Sequence, residues 1–376
     1  MAKRASRPAK KAVGKAKKGR ALTYAGAGVD IDQKDAFTES LDATLKATFS
    51  KRVIENPGGF AGLLRLDNSK LFDRNWKQPV LVACCDGVGT KVKLAADMGK
   101  FDTVGQDLVA MNVNDLIVQN AEPLLFLDYI ATPTIEKAFL GSLVKGIARA
   151  CAASGCALLG GETAHMPDLY KKGDFDLAGF CVGVAELKRI EKQPKVQVGD
   201  VVIGLASDGV HSNGYTLVRK VVSERKLNLR EVYKELDPKR PLGEVLLTPT
   251  RLYPKPIVAL MRDEKLSGHV SGMAHITGSG MDGNLCRALP KHLDALVDMN
   301  AWPLLPVFRF LQEHGNIPER EMRRVFNRGI GYTLIVRRNK ADHVMARLAG
   351  LGERVYRIGQ IVKGTGVVRE TAESAV

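Results

Sequence analysis

The chain of 376 residues predicts a mixed α/β fold, with α+β-like mixed sheets, in two domains of ordinary size. Three observations predict it. Apolar strand-like runs and helix-spaced stretches occur in both halves of the sequence. Several strand-like runs follow one another with no helix between them, which argues against a purely doubly wound sheet. A charged stretch with a proline and a closing Gly-Asp, residues 187–200 (LKRIEKQPKVQVGD), separates the halves. The expected division is a basic tail at 1–21, an N-terminal domain at 22–192 and a C-terminal domain at 193–376. No internal period suggests a repeat protein.

In chain order, Val80–Cys84 reads as a buried strand delivering the turn Asp86-Gly87-Val88-Gly89-Thr90-Lys91. Residues Asp107–Gln119 carry apolar side chains at helical spacing. Leu124–Ile130 is a strand entered through Pro123. Ile135–Ser154 is helical and stops before Gly155, a C-terminal signal. Cys156–Leu159 is a short strand running into Gly160-Gly161-Glu162-Thr163, and Leu177–Ala185 is another strand. The second half opens with strand Val201–Ala206, then Ser207–Gly214, then helix Tyr215–Ser223. Strands follow at Val270–Ile276 and Gly331–Val336, with a Gly-rich turn at Thr277–Gly283 and a helix beginning at Leu285.

Composition narrows the class. With 45% hydrophobic and 26% charged residues, the chain reads as a soluble globular protein. No apolar run approaches the ~18 residues of a membrane span, and the basic N-terminus has no apolar core of a secretory signal behind it. Six cysteines without metal or disulfide spacing read as reduced thiols of a cytoplasmic protein. The net charge of +15 is concentrated: residues 1–20 hold nine Lys or Arg and no acid. That segment reads as a disordered, solubilising tail, with contact to polyanions such as RNA or a membrane surface as the other reading. No Ser/His/Asp spacing, HExxH, cysteine knuckle or interleaved basic–aromatic pattern is present.

The chemistry-bearing residues lie at strand ends. Glycines of the Asp86–Lys91 turn would let backbone approach a polyphosphate, Lys91 would supply charge, and Asp86 could hold magnesium. The order GxGTK is not a Walker loop, so a tight turn with a surface lysine stays open. Asp107, Asn112, Asn114 and Asp115 crowd one otherwise apolar helix, and burying them without a partner such as a metal ion is costly. Glu162 follows a glycine pair. His211-Ser212-Asn213-Gly214 precedes a helix, which Ser212 or Asn213 could cap and whose N-terminus would attract an anion. His165 and His275 read as hydrogen-bonded structural histidines. These residues together suggest a Mg-nucleotide enzyme without naming its second substrate.

Taken together, the motifs resemble those of phosphoribosylformylglycinamidine cyclo-ligases, the aminoimidazole ribonucleotide synthetases of purine biosynthesis. The matching blocks are Tyr24–Ile31, Gly58-Gly59-Phe60, Asp86–Lys91, Val113-Asn114-Asp115, Gln119–Pro123, Phe126–Tyr129 and Gly160–Ala164. They continue through Ala178–Phe180, His211–Lys220, Leu247–Arg251, Ala274–Gly278 and Phe326–Gly331. The resemblance implies a two-domain fold of the cyclo-ligase/selenophosphate-synthetase type, whose N-terminal domains pair in a homodimer as a β-barrel. It implies ATP and Mg²⁺ as cofactors and formylglycinamidine ribonucleotide as substrate. The implied metal ligands are Asp86, Asp107, Asp115 and Glu162. The implied ATP contacts are Asp86, Gly87, Gly89, Thr90, Lys91, Asn112, Gly161, Glu162 and Thr163. Gly58, Gly59, His211, Ser212 and Asn213 would hold substrate, and His211, Asp115 and Lys91 would be catalytic. Departures from the family pattern include Ala25 after Tyr24, Asp42 at the place of a first-helix lysine with Lys46 a turn later, and Ser279, Met281 and Arg328. The alternatives are a small-molecule kinase of the same superfamily, such as thiamine-monophosphate kinase or selenophosphate synthetase, and a nucleic-acid-binding protein acting through its tail. Selenophosphate synthetase normally needs a reactive Cys near its N-terminus, and the first here is Cys84.

Overall fold

The computed structural model describes residues 36–37, 40–55 and 61–371. The basic tail, the Tyr24–Ile31 block, Gly58 and Gly59 lie outside the described residues.

The first half builds a four-stranded sheet from β3 (Pro79–Gly87), β4 (Glu122–Thr132), β5 (Ala157–His165) and β6 (Asp176–Glu186). A small ribbon, β1 (Val53–Ile54) with β2 (Leu63–Leu64), precedes it, and α1 (Asp42–Lys46) precedes that. The sheet order is β3-β6-β4-β5, with β4 and β5 parallel and the other pairs antiparallel. Three helices accompany it: α2 (Lys91–Met98), α3 (Asp102–Val118) and α4 (Lys137–Ser154). Alternation along β3 sorts its faces. Val82 and Cys84 turn inward against the core, while Leu81 is 59% exposed. Phe180 and Leu127 share the outer face with Leu81, at 43% and 37% exposure. α3 and α4 pack on each other through Gly105 and Gly146, and α4 ends at Gly155 in the left-handed region with φ 71°.

After a short helix, α5 (Leu187–Glu191), the second half forms a six-stranded sheet. Its strands are β7 (Val201–Ala206), β8 (Val270–His275), β9 (Leu293–Val297), β10 (Ile330–Val336), β11 (Val355–Lys363) and β12 (Val368–Glu370), ordered β12-β9-β11-β7-β10-β8. Every pair is antiparallel except β12 with β9. Strands β7, β8 and β10 are buried throughout, because helices cover both faces. Those used below are α6 (Tyr215–Glu224), α7 (Leu242–Leu246) and α8 (Pro254–Arg262).

The mixed α/β class therefore holds. Two strands run further than expected. β3 continues through Asp86 and Gly87, so the turn is shorter than expected, and β5 continues through Gly160–His165, so that motif lies on a strand. The helix after the turn begins at Lys91 itself. No helix among the described residues is long and apolar enough to cross a membrane.

Candidate active site

A cleft of about 370 Å³ opens between β3, α3 and β8. Asp115, at the C-terminal part of α3, is half exposed there and its Oδ1 lies 2.8 Å from His275 Nδ1. His275 is buried at the end of β8. Asp86, two residues beyond the cleft-lining Cys84, is partly buried. Burial raises its carboxyl above the usual range, the Asp115 charge adds to this, and the Gly87 N–H and His275 oppose it. The Gly87 N–H donates to Asp86 Oδ1 at 2.7 Å. Gly89 at φ 73° turns the chain from β3 into α2, a conformation suited to glycine. Thr90 meets Thr216 of α6 at 3.1 Å between hydroxyls. Arg287 and Asn284 also line the cleft. The Cys84 thiol lies 3.2 Å from the Asn112 carbonyl, and Cys181 and burial push its pKa up, which leaves no thiolate for nucleophilic work.

The polar residues of α3 find a partner other than a metal. Asp107 Oδ1 accepts from the N–H and hydroxyl of Thr250 at 2.7 and 2.6 Å, and its Oδ2 pairs with Lys91 at 2.8 Å. Lys91 also donates to the carbonyls of His211 and Thr248. Both side chains are fully buried and all three ammonium donors are used, so Lys91 has no group left for a phosphate and Asp107 none open to a metal. Those two expectations are corrected. Gln106 donates to the Thr250 carbonyl, and Asn114 receives the Tyr253 N–H and donates to the Arg251 carbonyl. α3 thus holds residues 250–253 of the second half through backbone groups. Asn112 donates to the carbonyls of Asp86 and Leu108 and is buried behind the sheet, while its Oδ1 has no hydrogen-bond partner.

His211 is also corrected. It sits at φ 68° with its ring buried against Gly331 and Tyr253, and its Nε2 accepts from the N–H groups of Asp208 and Arg251 at 3.3 and 3.4 Å. Burial, then the nearby charges of His275, Lys91 and Arg251, hold its pKa well below the ordinary value. The ring is enclosed, at 2% exposure, so it is not open to a substrate as the sequence led us to expect. Ser212 meets Thr250 at 3.3 Å between hydroxyls and Asn213 faces Gly278. Neither caps α6; Gly214 occupies that position without a side-chain bond.

Glu162 lies elsewhere. The row Asp86–Gly179–Asp128–Gly161 crosses the sheet in register, and Glu162 is one residue past it, on the opposite face. β3 and β5 are the two edges of the sheet, roughly 14 Å apart at the usual strand spacing. Asp115 lines the first cleft, with Asp86 two residues past its wall at Cys84, whereas Glu162 lines a second pocket of about 750 Å³ with Gly160, Gly161, Tyr129, Asp128 and Lys46. Among the described residues no group of three or more His, Cys, Asp or Glu could hold a metal, so the four carboxylates expected from the sequence, Asp86, Asp107, Asp115 and Glu162, are not brought together within one protomer. Thr163 follows in β5 and is partly buried. A Cβ at Gly161 would stand 2.4 Å from Asp128 Oδ1, so this glycine makes room for the carboxyl beside it. Burial pushes that carboxyl up to about 7. Sequence reading missed Asp128 as a pocket residue; an acid inside the apolar run LLFLDYI was the available signal. It read His275 as a hydrogen-bonded structural histidine, and the ring is hydrogen-bonded, to Asp115. Nothing in the sequence marked Arg287.

A half-exposed Asp115 carboxylate in a cleft between two mixed sheets, near enough to the partly buried Asp86 for its charge to be felt there, is compatible with a phosphate- or metal-handling class of enzyme. The comparisons identify it further. A family model described as AIR synthase related protein, N-terminal domain, matches residues 67–185, and its C-terminal counterpart matches residues 197–371. A phosphoribosylformylglycinamidine cyclo-ligase of Syntrophus aciditrophicus is 48% identical over 345 residues, 92% of this chain and 96% of that protein. Similar solved structures include a thiamine-monophosphate kinase from Stenotrophomonas maltophilia, with TM-score 0.66 at 18% identity, covering 89% of this chain and 97% of that one. Another is the hydrogenase maturation protein HypE in complex with ATP, with TM-score 0.60 at 14% identity, covering 89% and 90%. At such identities the two structures show the fold. The chain belongs to the phosphoribosylformylglycinamidine cyclo-ligase family.

Proposed function

We propose that this enzyme closes the imidazole ring of 5-aminoimidazole ribonucleotide from formylglycinamidine ribonucleotide, using ATP, in purine biosynthesis in the cytoplasm. The 48% identity to a cyclo-ligase over 92% of the chain carries this reading. The two pockets on one sheet suit a reaction that brings a nucleotide together with a ribonucleotide. Asp86 and Asp115 would hold the Mg²⁺ that accompanies ATP. The fit rests on their hard oxygen donors and on the Asp86 carboxyl, whose charged form is disfavoured by burial first and by the Asp115 charge after it. Magnesium commonly uses one or two carboxylates together with substrate phosphates, and there it would neutralise charge on the transferring phosphoryl group.

The formyl oxygen attacks the γ-phosphorus of ATP, an O–P bond forms and ADP leaves. The amidine nitrogen then attacks the activated carbon. A C–N bond forms, the C–O bond breaks with its electron pair leaving on phosphate, and protons are lost to solvent as the ring becomes aromatic. Phosphorylation makes the amide oxygen a leaving group; the protein's part is positioning and charge neutralisation. His275 orients Asp115 through the 2.8 Å contact. Gly87, Gly89 and Thr90 present backbone and hydroxyl at the end of β3, with Asn112 behind them. Gly161, Glu162 and Thr163 line or flank the larger pocket as nucleotide contacts, and Ser212 and Asn213 flank the junction on the substrate side. Gly58 and Gly59 are assigned to substrate by resemblance alone. We divide the chain into a tail at 1–21 and domains at 22–192 and 193–376.

The protein is proposed to be a homodimer whose first-half sheets face each other as a barrel. The exposed apolar row of Leu81, Phe180 and Leu127 supports this, since such a face is usually covered. The deciding experiment is ADP release measured with and without formylglycinamidine ribonucleotide and Mg²⁺, with the aminoimidazole product detected. ADP release that ignores the ribonucleotide would overturn the cyclo-ligase reading in favour of a kinase.

A further inference from the structure

A second large cleft, of about 700 Å³, lies where the two halves meet away from Asp86 and Asp115. Its walls come from the segments around residues 49–52 and 72–76, the start of β4, the end of α4 and one face of α8. Its charge is unbalanced. Glu122 at the mouth of β4 is paired with both Arg74 and Arg262, the latter at 2.6 Å, so one carboxylate faces two guanidinium groups. Burial lowers the pKa of Arg74, and the charges of Arg189 and Arg262 lower it further while Glu122 and Glu186 oppose them. Lys51 and Lys255 add two exposed ammonium groups on opposite walls, and Asp73 is the one further acid in the lining. Arg52 takes no part in this balance, because its guanidinium is committed to the carbonyls of Arg65, Asp67 and Arg74 and stacks on Phe72 and Trp76.

The side chains that line the cleft carry the argument. Arg74, Arg262, Lys51 and Lys255 stand against Glu122 and Asp73, and an acceptor-rich anion is the chemistry that balances them. Arginine forks and lysine ammonium groups select phosphate oxygens, and Phe49, Pro123 and Val258 offer an apolar bed for a small organic body.

We propose that this cleft binds a small organic phosphate, at a site separate from the Asp86–Asp115 cleft and independent of the cyclo-ligase reading. The ligand bridges the halves, since Arg74 and Lys51 belong to the first and Arg262 and Lys255 to the second. Binding therefore stiffens the junction next to residues 250–253.

The test uses pyrophosphate as probe, on the full chain in EDTA, by calorimetry and by thermal melting. Three proteins are compared: wild type, K255A/R262A and D115N. Lys255 and Arg262 are exposed, and Arg74 still pairs with Glu122 after the double substitution, so the fold is retained. Saturable binding and a raised melting temperature are expected in wild type and D115N, with affinity at least tenfold weaker in K255A/R262A. No saturable binding to wild type would overturn the proposal. So would unchanged affinity in K255A/R262A, or loss of binding in D115N, which would place the anion in the other cleft.

Discussion

At the scale of single residues, the structure separates acids that can do chemistry from acids that hold the fold. Asp115 is half exposed and braced by His275, so D115N should cut turnover by about two orders of magnitude or more with the melting temperature nearly unchanged. Steady-state kinetics beside calorimetry check this, and a large loss of stability would make Asp115 structural. Lys91 and Asp107 behave oppositely. Removing either leaves a buried charge unpaired, so K91A and D107A should each lose about 3–5 kcal/mol, read by urea unfolding. His211 supplies a pH signature. Its folded pKa is depressed, so the unfolded chain binds the extra proton below about 6.5. The stability this group contributes is complete above that pH and is lost as the pH falls below it. Unfolding of wild type and H211N between pH 7.5 and 5 should show the acid-side loss shrinking in the variant.

At the scale of elements, most strands and the long helices were legible in the sequence, because apolar periodicity reports burial directly. Val201–Ala206 and the C-terminal end of α4 at Ser154 fall where the pattern and Gly155 put them. The ends of β3 and β5 were not legible, since glycines and acids in sequence read as turns. In the sheet they occupy one row in which Gly179 and Gly161 alternate with Asp86 and Asp128. The site was half legible. Residue type flagged Asp115, which lines the cleft, and Asp86, which stands two residues past its wall. It misread Asp107, Lys91 and Asn114, because, apart from the Lys91–Asp107 pair, their partners lie 120–160 positions away in chain order and are mostly backbone groups without a signature. The glycine row yields its own prediction. G161A would drive a methyl group into Asp128 and its carbonyl, costing roughly 1–3 kcal/mol and narrowing the larger pocket. A variant as stable as wild type, with unaltered substrate KM, would contradict that packing.

At the scale of the whole molecule, two features bear on the proposed homodimer and on how the halves of one chain meet. The apolar row on the outer face of the first sheet should hold two protomers together. F180D is therefore expected to shift the mass measured by light scattering from dimer to monomer; a variant that stays dimeric places the interface elsewhere. Within one protomer, Lys91, Gln106, Asp107 and Asn114 meet the second half through buried polar bonds to His211, Thr248, Thr250, Arg251 and Tyr253. A chain leaving the ribosome makes the first half well before residue 253 appears. Until then a lysine and an aspartate destined for full burial have only each other, with two of the Lys91 donors and Asp107 Oδ1 facing water. The first half consequently cannot settle into its final state on its own, and folding of both halves is timed by the emergence of one short segment. Pausing of synthesis before that segment would leave the nascent chain open to chaperones, and release after it would close the molecule in a single cooperative event.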